Sequence, residues 1–178
     1  MLSRVLLAVF TSAGLPVLAA ESRAEACVGL INSRSASVEA RDWPAAQRLS
    51  NRYIRECQAI ATPQDLSSAY EILAIAQMEQ KNRKRAELTA RKCIEVWYQA
   101  AGCHVLIAEL QHADGKFEDA LATLDRADGI ISFRLSANAR EKQTSASKSR
   151  RLAFDASDEE MKSLAELSRA LRRSAERS

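Results

Sequence analysis

Glycine and proline are scarce in this chain, five and three in 178 residues. A sandwich or barrel of many short strands needs more turn residues than that, so sheet-rich folds are disfavoured. Aromatic residues make up only 5%. Histidine occurs twice, and neither Cys-x-x-Cys nor His-x₃-His spacing is present, so a zinc site lacks a donor set. Neither charge sign dominates: 26 basic against 23 acidic residues leave a net +3, too weak a bias for nucleic acid. A Gly-rich phosphate loop, a nucleophile elbow, a zinc helix motif and a calcium loop are all missing. His104 and His112 lie two turns apart on one helix and cannot share a compact site; His104 is expected to pack in the core. Cys103 and His104 are helix neighbours that point about 100° apart, so they make no catalytic pair. The chain reads as non-enzymatic and free of cofactors.

Alanine, leucine, glutamate, arginine, glutamine and serine are abundant instead. These are helix formers together with small residues that let helices approach closely, so the expected class is all-α. Residues 1–20 stand apart. Arg4 precedes an apolar stretch through Val5–Phe10 and Leu15–Leu18, and small residues around Ala19 and Ala20 offer a cleavage point. These are the three parts of a secretory signal peptide, and the run is short for a membrane span. The alternative is an uncleaved N-terminal anchor. Export to a periplasmic or secreted location is expected.

The longest-range pattern is a self-offset of 34 residues. Residues 67–100 laid over 101–134 place Ala74 on Ala108, Ala86 on Ala120 and Cys93 on Ala127, with Gln77 on Gln111. That period belongs to helix–turn–helix repeats. The spacing predicts a first hairpin over 27–60, then helices over about 67–80, 83–97, 101–113 and 117–128, the last stopped by Gly129. In an exported protein four cysteines suggest two bridges, with three pairings open. The hairpin register selects among them. Cys27 opens the first helix of a hairpin that Cys57 closes, and Cys93 ends one helix shortly before Cys103 begins the next.

Residues 101–134 resemble a tetratricopeptide repeat (TPR) through Ala108, Gly115, Phe117, Ala120, Leu124 and Ala127. Tyr70, Leu73, Ala74, Ala86, Ala90 and Cys93 fit the same slots one repeat earlier. Trp43, Ala46 and Tyr53 do so in the first, although Ser33 and Arg34 stand where the family has a large apolar and a small residue. Arg83 replaces an aromatic at the second turn, and Gln77 and Gln111 replace the usual first-helix aromatic. The resemblance implies a solenoid of about three hairpins over 21–134 whose first helices line a concave groove. Facing it would be Glu71, Ile75, Met78, Glu79, Val105, Glu109 and His112. Apolar and acidic residues together suit a short amphipathic or basic peptide, and would repel the peptide carboxylate that some members of the family grip.

Further along, 130–140 could carry a short helix, Gln143 to Ser149 reads as a flexible loop, and 135–156 as an irregular connection. Ser157 and Glu160 form a capping box opening a last helix, 157–178, either a cap on the solenoid or a docking helix. Lys81, Arg83, Lys84 and Arg85 form the densest basic cluster. It reads as a solvated turn first, and second as a rim for an acidic partner or anionic lipid. The expected role is an adaptor holding another envelope protein or a peptide segment of one, with no nucleic acid involved. The rivals are a lipid-surface structural protein and a small hydrolase inhibitor.

Overall fold

The computed structural model describes residues 15–144 and 148–177, and among them every regular element is a helix. Seven occur in order: α1 Leu15–Glu39, α2 Trp43–Cys57, α3 Pro63–Glu79, α4 Arg83–Val96, α5 Ala101–Ala113, α6 Phe117–Thr144 and α7 Lys148–Ala175. Each packs on the next, and α7 also packs on α5. The expected leader meets α1 at Leu15, and its residues 1–14 lie outside the described part. No helix among the described residues is long and apolar enough to cross a membrane.

The hairpin turns repeat in atomic detail. Arg41, Lys81 and Gly115 each take a positive φ, of 54°, 61° and 75°. The following amide reaches back five residues: Asp42 N–H to Ser37 O, Asn82 N–H to Gln77 O and Lys116 N–H to Gln111 O, at 2.8, 2.8 and 2.9 Å. This is a Schellman closure, which leaves few helix carbonyls unpaired. Helix starts are capped where the residues permit. Asp42 accepts from Ala45 N–H at 3.0 Å and Thr62 from Asp65 N–H at 3.1 Å, with Pro44 and Pro63 in the first turns. That cap starts α3 at Pro63 rather than at 67.

Small residues carry the helix crossings. Ala46, Ala86 and Ala120, one per hairpin, are completely buried, as are Ala74 and Ala108 on the first helices of the second and third. Side chains without bulk let helix axes approach closely. The two glutamines that stand in place of an aromatic are also matched. Gln77 accepts from the Thr89 hydroxyl at 2.8 Å and Gln111 from the Thr123 hydroxyl at 2.9 Å, so the polar group brought into each hairpin is bonded. Both disulfides form: Cys27–Cys57 closes the first hairpin and Cys93–Cys103 ties α4 to α5, with Cα separations of 5.9 and 6.4 Å.

The C-terminal third departs from expectation. Gly129 does not stop α6, which continues to Thr144. Glycine inside a helix costs about 1 kcal/mol relative to alanine. Buried Ile131, packed with Ala101 and Met161, offsets it. The connection expected over 135–156 is helical on both sides, 135–144 in α6 and 148–156 in α7; of the expected loop, 145–147 lie outside the described residues. α7 therefore starts nine residues before Ser157, and the anticipated capping box lies inside it. The pairs Ala101/Met161 and Ala108/Leu171 set α7 alongside α5, running the same way. The Ser168 hydroxyl donates to Asp128 at 2.7 Å, and Arg172 bridges Asp125 and Asp128 at 2.8 and 3.0 Å. Met161 and Ser168 are fully buried, so α7 caps the last hairpin.

Candidate functional site

The seven residues expected on a groove do not share one environment. Glu71, on the first half of α3, is half-buried and turned toward the start of α5, where a Cβ on Gly102 would collide with its carboxylate. A carboxylate is stabilised at a helix start by the dipole and free amides there. It also lies within 4.8 Å of Cys93 and Cys103, a trio with metal-ligand chemistry on paper. The two sulfurs are bonded to each other, so neither is a thiolate able to hold a cation. Glu71 therefore sits at the α3–α5 junction, half-buried beside the start of α5.

Val105 also leaves the groove. It is 2% exposed, and it shares a helix face with Ala101 and Ala108, the residues α7 packs against. That face would be open if the C-terminal helix docked a partner instead of capping the solenoid, but α7 lies on it.

The remaining five gather where α3 and α5 end. Ile75 and Met78 are half-buried against the core cluster of Ala74, Leu106 and Leu110. Glu79 and Glu109 are exposed. Crowding by the protein, with the Glu79 charge added, holds the Glu109 carboxyl above its ordinary range, while Arg83 pulls it back. The two acids and this arginine thus share one electrostatic neighbourhood. His112 rests edge-on against the Phe117 ring, centroids 5.3 Å apart, and its buried Nε2 has no hydrogen-bond partner.

A cleft of about 430 Å³ is lined here by Met78, Lys81, Arg83, Glu109, Leu110 and Ala113. Lys81 and Arg83 belong to the basic turn that the sequence suggested as a separate patch, so one wall of the cleft is cationic. Lys84 and Arg85 continue the charge on the solvent side of α4. The arrangement is an apolar floor between an acidic and a basic bank. It can grip an extended segment by its apolar side chains and orient it by charge. The other histidine, His104, is buried elsewhere, with its ring nitrogen 3.0 Å from the Tyr98 carbonyl oxygen.

Three residues escaped notice in the sequence. Arg34, flagged only as a poor fit to its slot, is 3% exposed, and Arg126 and Tyr98 border a second crevice between α4 and α6.

Comparison with known proteins agrees with this architecture. No protein-family model and no curated protein sequence matches the chain. Solved structures do. The Arabidopsis OM64 TPR domain superposes with a TM-score of 0.53 at 16% identity, covering 61% of this chain and 84% of that one. The TPR2B domain of yeast Sti1, solved in complex with pHsp70, gives 0.51 at 18% identity, covering 82% and 98%. The chain has a TPR-like fold of antiparallel helical hairpins.

Proposed function

We propose that this TPR-like protein is a non-catalytic scaffold that holds a segment of another protein in the cleft at the ends of α3 and α5. The observation that carries the reading is the cleft itself: Met78 and Leu110 on the floor, Glu109 on one bank, Lys81 and Arg83 on the other. A neighbour in fold, the TPR2B domain of yeast Sti1, was solved in complex with pHsp70, which supports a protein partner here. The segment is basic or amphipathic, drawn to Glu79 and Glu109. The compartment we assign is an oxidising one, the periplasm or the exterior of a bacterial-type cell. The N-terminal signal pattern and the pairing of all four cysteines support it.

Affinity capture of the tagged protein after crosslinking in intact cells tests the reading. One envelope protein should dominate, and the double substitution Glu79→Lys with Glu109→Lys should remove it while leaving the melting temperature in place. Recovery unchanged by that double substitution would refute the cleft as the binding site.

A further inference from the structure

The two disulfides sit in opposite surroundings. Cys93 and Cys103 are completely buried, packed with Ala100, Tyr70, Ile94 and Trp97. A carboxylate oxygen of Glu71 lies within 4.8 Å of both sulfurs. A thiolate approaching this bridge would meet a wall of protein and then a negative charge. A departing thiolate would face the same repulsion.

Cys27 and Cys57 instead line a pocket of about 360 Å³ where α2 ends against α1. Cys27 keeps 7% of its surface exposed, while Cys57 is buried. Of the charged residues lining the pocket, two are arginines, Arg23 and Arg55, against the single acid Glu56. That acid is shared by Arg52 and Arg55, at 3.0 and 3.1 Å. The Arg23 guanidinium donates to the Glu56 backbone carbonyl at 2.8 Å, a neutral acceptor that takes none of the arginine's charge. The positive excess draws a thiolate anion inward and stabilises the thiolate that leaves.

We propose that Cys27–Cys57 is a thiol–disulfide exchange site for a dithiol partner, whereas Cys93–Cys103 is a closed structural bridge. The partner's thiolate bonds to Cys27 Sγ as the bond to Cys57 breaks, and Cys57 leaves as a thiolate that takes up a proton. The partner's second sulfur then displaces Cys27. The partner ends as a disulfide, and the two protons of its thiols end on Cys27 and Cys57. α1 loses its bridge to α2, while α4 and α5 stay tied. The site is separate from the α3/α5 cleft and does not depend on it.

The test adds dithiothreitol to the folded full chain, stops the reaction with iodoacetamide and maps the labelled cysteines by mass spectrometry. Labels on Cys27 and Cys57 should accumulate about tenfold faster than labels on Cys93 and Cys103. Arg55 is exposed, and circular dichroism will show Arg55→Glu folded. That variant should slow opening by glutathione, which brings extra negative charge, by about threefold, and opening by cationic cysteamine by less. Simultaneous opening of both bridges, or earlier opening of Cys93–Cys103, overturns the proposal. So does an Arg55→Glu effect equal for the two thiols, which would mean that the pocket's charge does not govern entry.

Discussion

Replacing Arg34 by methionine should stabilise the protein. The side chain is 3% exposed, on α1 against α2 and α3, in a slot that TPR-like repeats fill with a small residue. Its Nε and Nη1 have no hydrogen-bond partner, and Nη2 reaches Ser68 Oγ only at 3.5 Å. The Tyr53 ring lies 5.1 Å from the guanidinium carbon. Desolvation lowers the pKa of the group, and the partial compensation comes from Tyr53 and the charge of Asp65. Two unpaired buried donors cost about 1–3 kcal/mol each. The ring contact returns about 2 kcal/mol. Methionine keeps much of the stem's packing without the charge, and hydrophobic replacement of buried ions is commonly neutral or stabilising by about 1–4 kcal/mol. A net gain of about 1–3 kcal/mol is expected, which at an m-value of about 2 kcal/mol/M moves the urea midpoint up by roughly 0.5–1.5 M. Arg34→Ala should gain less, since it leaves a cavity. Urea unfolding followed by circular dichroism measures both. A midpoint for Arg34→Met well below the parent's would refute the reasoning and mean that the guanidinium makes a bond on which hairpin one depends.

Other outcomes follow from the same structure. Lys81→Gly relieves a left-handed lysine and should stabilise by roughly 0.5–1 kcal/mol, whereas Gly115→Ala should destabilise by about 1 kcal/mol, both read from thermal melts. Ala108→Leu forces bulk into a completely buried crossing beside Ala120 and Leu124 and should cost about 1–3 kcal/mol; a silent result would mean the helix register is different. Because burial lowers the His104 pKa, the unfolded chain binds that proton first as pH falls below about 6.5. Its contribution is intact above that value and shrinks below it, so His104→Phe should flatten the acid-side slope of stability, and an unaltered slope would contradict the assignment. Reduction of Cys27–Cys57 and Cys93–Cys103 should lower the melting temperature by several degrees, since each bridge contributes about 2–4 kcal/mol.

The repeat was legible because its signal is local and periodic. Ala74 and Ala108, and Ala86 and Ala120, recur at one spacing since each must let a neighbouring helix approach, and the structure buries all four completely. The bridges followed from that register, as hairpin geometry brings Cys27 to Cys57 once the helices are placed. What was lost depended on contacts across the chain. Gly129 is a reasonable local stop, and only Ile131 meeting Ala101 and Met161 carries α6 through it. Val105 reads as a groove residue until α7 lies on α5. Glu71 reads as one until the start of α5, held by Cys93–Cys103, meets its carboxylate. Of the groove residues that the resemblance implied, Met78 and Glu109 line the cleft. That the basic turn shares their cleft required the position of Lys81 in three dimensions, where it lines the same wall as Arg83. Nothing in the spacing of Arg126 or Tyr98 distinguishes them from ordinary surface residues.

The central claim is that the ends of α3 and α5 hold a partner protein. Its most direct test is a photocrosslinking amino acid placed at Met78 in living cells, with the same group at exposed Asn51 on α2 as the comparison. The account predicts one discrete adduct from position 78, lost when Glu79 and Glu109 are reversed to lysine, and none from position 51. Equal labelling from both positions, or an adduct from 51 alone, would contradict it.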